Sequence, residues 1–70
     1  MEQEKISNRF KTLEPILNER MRRYFAAAEA IAIGHGGVTL VAEATGISRR
    51  AITAGCKEVQ NLSKDNLVSQ

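Results

Sequence analysis

The residues best equipped for chemistry in this chain are arginines, and they come in two groups. Arg49 and Arg50 directly follow Ser48, with Thr53, Ala54 and Lys57 after them at helical spacing. Arg20, Arg22 and Arg23 make the second group. A guanidinium is a rigid fork of donors that fits phosphate oxygens or the O6/N7 edge of guanine. A lysine acts as a point charge toward phosphate, and a threonine can bond a base or touch a thymine methyl. Ala54 leaves the centre of that face small. His35, the single histidine, sits among glycines in "GHGG". Together with Thr39, Arg20, Arg22 and Arg23 it is a candidate phosphate contact. The plain alternative for the second group is solvated helix surface beside Glu19.

Other chemistries are poorly served. There is one cysteine, Cys56, so no intrachain disulfide can form. One Cys and one His cannot build a metal site. The carboxylates show no pairing suited to acid–base work, and a chain of 70 residues can hardly form the cleft that such work needs. No enzyme activity, metal, cofactor or small-molecule substrate is therefore expected. No apolar run approaches the roughly 20 residues needed to span a bilayer, and the polar start is not a signal peptide. The expected setting is the reducing cytoplasm of a bacterium, close to its nucleoid. A net charge of +2 permits a polyanionic partner without demanding one.

These residues need elements to hold them. The low aromatic content, 4%, and the many Ala, Leu, Ile, Glu and Arg residues favour helix. Ile6, Phe10 and Leu13 recur at helical spacing and predict a first helix over Glu2 to Leu13, closed because Pro15 draws Glu14 out of the helical region. Asn18 is set to cap a second helix, with Glu19 well placed against its dipole. Met21, Tyr24, Phe25, Ala28 and Ile31 form its apolar stripe, and Gly34 ends it. "GHGG" then reads as a loop. A short third helix covers about Val38 to Thr45. Ser48 caps a fourth, over about Arg49 to Leu62, whose inner stripe is Ile52, Cys56, Val59 and Leu62. Cys56 thereby reads as a buried small hydrophobe. Residues 1–15 form an accessory helix, 16–62 the main domain, and 63–70 a flexible tail or linker.

Within "VAEATGIS" the spacing is specific. Two helices that meet steeply across a short turn bring their backbones close, and Ala42 is small enough to allow it. Gly46 can take the positive φ that stops the third helix at once. Ile47 plugs the turn into the core, Ser48 restarts a helix, and Val41 and Ile52 fill the corner. This is a helix-turn-helix pattern. At about 100° per residue, Arg50, Thr53, Ala54 and Lys57 fall opposite the Ile52–Cys56–Val59 stripe, with Arg49 on the flank. A helix N-terminus with the Ser48 hydroxyl suits a backbone phosphate.

The blocks "NERMRR", "AAAEA", "GHGG" and "VAEATGISRRAI" carry a family resemblance. Between Leu17 and Val59 the chain resembles the N-terminal region of DDE-type insertion-sequence transposases of the Rhodopirellula-type transposase family. That resemblance implies a DNA-binding module that recognises terminal inverted repeats, with the catalytic part outside this chain. The match stops short in two places. The first fifteen residues lie outside it, and Thr53, Ala54 and Cys56 stand where the family has a longer basic stretch. Fewer cations predict weaker phosphate binding and a shallower salt dependence.

The expected fold is therefore all-α, a three- to four-helix helix-turn-helix DNA-binding domain, and the expected partner is double-stranded DNA. Two alternatives stand beside it. One is a transcription regulator of the same fold, acting as a homodimer on paired half-sites. The other is a helical protein–protein interaction module that uses the Ile6–Phe10–Leu13 face as its seam.

Overall fold

The computed structural model describes the backbone of residues 2–69 and the side chains of residues 2–62. Among the described residues the fold is all-α, with four helices: α1 (Glu2–Leu13), α2 (Glu19–Ile33), α3 (Gly37–Thr45) and α4 (Arg49–Ser69). A 3₁₀ turn, Glu14–Ile16, separates α1 from α2.

Helix α1 ends at Leu13, where the proline places it. Glu14 does not leave the helical region as expected; the chain tightens into the 3₁₀ turn, closed by the Leu17 N–H donating to Glu14 O at 3.1 Å. Pro15 fits there because the first N–H groups of a helical turn have no partner to lose. Two of the three residues of the expected face of α1 are buried, and Leu13 is half-buried. Ile6 is 0% exposed and Phe10 4%, and the Phe10 ring lies tilted against Phe25 with centroids 5.8 Å apart. Arg9 adds a fork to Glu29 of α2, with both bonds 2.8 Å. The first helix is thus part of the core rather than an accessory to it.

Asn18 caps α2 as its side chain predicts: Oδ1 accepts the Met21 N–H at 2.8 Å. The buried face of α2 is not the expected one. Ala26, Ala27 and Ala30 are buried, while Met21 and Ile31 are 44% and 42% exposed and Ala28 also faces out. Tyr24 and Phe25 are half-buried. The cause is distance. Helix α2 is the central element, packed against both α3 and α4, and alanines let those backbones come close where a row of large side chains would hold them apart.

Gly34 (φ +85°) closes α2, its N–H reaching Ala30 O at 3.0 Å, and Gly36 (φ +80°) turns the chain into α3. Gly37 is not a loop residue. It is buried, it begins α3, and a Cβ on it would run into the backbone carbonyl of Ala30. Its missing side chain serves a close helix approach, not a turn.

One core joins all four helices. Ile6 of α1, Ala26 and Ala30 of α2, Val41 of α3 and Ile52 of α4 are buried together, with Ile33, Val38, Leu40, Ala42, Ala44, Ile47 and Cys56 packed around them. Each fully buried Ile or Val contributes on the order of 2 kcal/mol. The inner stripe of α4 fades along its length: Ile52 is buried, Cys56 and Val59 are half-buried, and Leu62 is 49% exposed. The helix continues to Ser69, beyond the Leu62 end that the sequence pattern suggests. The side chains of the expected tail, residues 63–70, lie outside the described residues.

Candidate functional site

The corner between α3 and α4 is held by three local devices. Gly46 adopts φ +80°, ψ 0°, and its N–H bonds Ala42 O at 2.9 Å, which stops α3. Thr45 clasps the turn from both sides: its hydroxyl donates to Val41 O at 2.8 Å and accepts the Ile47 N–H at 3.2 Å. Ser48 then caps α4, its Oγ accepting the Ala51 N–H at 3.1 Å. The Ser48 hydroxyl proton is left to donate outward. Ile47 is half-buried and packs on the core, so the link Gly46–Ser48 is anchored as well as hydrogen-bonded.

This corner fixes which way α4 faces. Ile52 and Gly55 point inward, and Ala51, Cys56, Glu58 and Val59 are half-buried along the flanks. Ser48, Arg49, Arg50, Thr53, Ala54 and Lys57 are all exposed. The structure thus brings these six residues to one outward face, the first two-and-a-half turns of the helix. Among the described residues, Arg49, Arg50 and Lys57 enter no ion pair. Their charges are directed to solvent.

The remaining candidates are scattered. Of the second arginine group, Arg20 is exposed and enters no ion pair among the described residues. Arg22 lies 3.6 Å from Glu14, with its guanidinium 5.5 Å from the Phe10 ring centroid. Arg23 is committed: Nε and Nη2 donate to the two carboxylate oxygens of Glu58 at 2.7 and 3.1 Å. It ties α2 to α4 and is not free to hold a phosphate. His35 and Thr39 are exposed at the opposite end of α3 from the corner.

Cys56 is half-buried rather than buried, with Sγ 3.8 Å from Ala27 O, and burial pushes its thiol pKa up. Both features make it a packing residue.

Two residues that sequence reasoning passed over matter here. Thr45 carried a local signal, a threonine ahead of a helix-ending glycine, whose hydroxyl can serve backbone groups on both sides. Glu58 carried none, since its partner is far along the chain. The hydrogen bond from Arg23 holds the Glu58 carboxyl below the usual range, helped by the fields of Arg23 and Arg20 and opposed by desolvation. A carboxylate with a lower pKa folded than unfolded stabilises the fold above its unfolded value, about 4.3. That contribution is lost as pH falls through the lowered folded value. Urea unfolding of wild type and Glu58→Gln is therefore expected to differ at neutral pH and to converge as the pH falls below the carboxylate range.

Among the described residues no helix is long and apolar enough to cross a membrane, and no group of His, Cys, Asp and Glu could hold a metal ion. No family model, curated protein or solved structure matches this chain significantly.

Proposed function

We propose that this chain binds double-stranded DNA, with the outward face of α4 entering the major groove. The observation that carries the reading is the α3–α4 corner. It anchors α4 on one side and leaves Arg49, Arg50, Thr53, Ala54 and Lys57 exposed on the other, without ion pairs among the described residues. Arg50 reads a guanine edge, Thr53 and Ala54 allow close approach to the bases, and Lys57 and Arg49 neutralise phosphate. Ser48 offers its free hydroxyl proton and the α4 N-terminus to a flanking phosphate. Arg20 is the member of the second group best able to reach backbone; Thr39 and His35 are outlying contacts.

The resemblance to transposase N-terminal regions gives the reading its biological form: a module that recognises the terminal inverted repeats of an insertion sequence. In that form the chain recognises DNA, and strand chemistry belongs to the catalytic part of a parent transposase. The interaction-module alternative loses its surface, because Ile6 and Phe10 are spent on the core.

The test is an amide-shift titration with two duplexes, one carrying the inverted repeats that flank the chain's own gene and one scrambled. Shifts over Ser48 to Lys57, saturating far earlier with the repeat duplex, are the expected result. Amides in that stretch that stay put with both duplexes refute it.

A further inference from the structure

Building on the DNA-binding reading, we infer that Arg23 is a positioning residue that acts on the DNA face without touching DNA, by cancelling the Glu58 carboxylate at its edge. Arg50, Ala54 and Glu58 stand on one i, i+4 row of α4, and this row curves from the outward face toward α2. Glu58 is one turn beyond Ala54, about 6 Å along the axis. Its side chain is 42% exposed, so the carboxylate is not hidden by burial. A free anion there would stand within about a Debye length, ~8 Å, of phosphates approaching Lys57.

Arg23 removes that anion from view. Its two bonds occupy both carboxylate oxygens, the paired geometry that a lysine could not reproduce. Gly55 makes the reach work. A Cβ at Gly55 would stand 2.7 Å from Arg23 Cγ and 2.9 Å from Arg23 O. The stem of Arg23 therefore lies across the bare backbone of α4 on its way to Glu58. The glycine, the arginine and the carboxylate form one device, which pins α4 against α2 and keeps the Glu58 charge from competing with the cations of the outward face.

The experiment is a double-mutant cycle, Arg23→Gln, Glu58→Gln and both, read as affinity for the inverted-repeat duplex over a salt series, with thermal melts alongside. Arg23→Gln should weaken binding about fivefold at low salt. It should also flatten the log–log salt slope by about one. Glu58→Gln should bind more tightly than wild type, because it leaves the Arg23 guanidinium as an uncompensated positive charge at the edge of the face. The double variant should return to wild-type affinity and slope even where its melting temperature differs. A structural role alone would not move the slope. A double variant as weak as Arg23→Gln overturns the inference and makes Arg23 a direct phosphate contact. An Arg23→Gln protein that binds like wild type also overturns it. If Arg23→Gln does not fold, Glu58→Gln decides alone: tighter binding supports the inference and unchanged binding refutes it. Failure of the DNA-binding reading is distinguishable, because wild type itself would then not bind the duplex; that result removes the inference with it.

Discussion

Gly37→Ala is expected to destabilise the protein by about 2–3 kcal/mol, the upper range for overpacking a well-packed site. A domain of this length has a total stability of only about 3–10 kcal/mol. The new methyl would meet the Ala30 carbonyl oxygen, with Ala30 C at 3.1 Å and Cα at 3.2 Å behind it. These are backbone atoms, so no side-chain rotation relieves the contact. The same carbonyl accepts the Gly34 N–H that closes α2. Relief must come from shifting α3 away from α2, which opens the core around Ala30 and Val41. Gly46→Ala is the informative comparison. Gly46 has a positive φ, but nothing lies within 4 Å of the position its Cβ would take. Its cost is backbone strain alone, about 1–2 kcal/mol for an L-residue in the left-handed region. Urea unfolding of the two variants should therefore rank Gly37→Ala as the worse, although Gly46 is the more conspicuous turn glycine. A Gly37→Ala protein as stable as wild type would show that α2 and α3 are not in the close contact described.

The contrast between these glycines shows what the sequence could and could not reveal. Gly46, Ser48, Asn18 and the end of α1 before Pro15 were legible, because each acts on backbone groups within a few residues of itself. The corner and the outward face of α4 follow from that local chemistry plus helical spacing. Gly37 looks the same as Gly34 and Gly36 in "GHGG", and only the packing of α3 on α2 separates its role from theirs. The face of α2 went unread for a related reason. A stripe chosen by side-chain size picks Met21 and Ile31, whereas a helix wedged between two neighbours buries its smallest residues, Ala26, Ala27 and Ala30. The Arg23–Glu58 pair joins residues distant in sequence, and neither its existence nor the seat at Gly55 has a periodic signature. Gly55 alone gave a hint, since a glycine inside a helix costs about 0.5–1 kcal/mol and asks for a packing reason.

The outward face itself is best tested by Arg50→Ala, which is expected to lose about 1–3 kcal/mol of specific binding, roughly 5- to 150-fold in affinity. Arg50 is exposed and enters no ion pair among the described residues. Its removal should leave the melting temperature near that of wild type, so a loss of affinity cannot be blamed on unfolding. The loss should be selective. If Arg50 reads a guanine, its truncation lowers affinity for the inverted-repeat duplex far more than for a scrambled one, and the ratio of the two collapses. Lys57→Ala supplies the counter-case, with both duplexes weakened alike and a salt slope smaller by about one. The two variants thus separate base reading from charge neutralisation within one helix face. If Arg50→Ala binds both duplexes as wild type does, α4 does not present that face to the bases. The fold would stand, since the buried Ile52 and the Thr45 clasp hold the corner without help from Arg50, but the proposed recognition surface would fall.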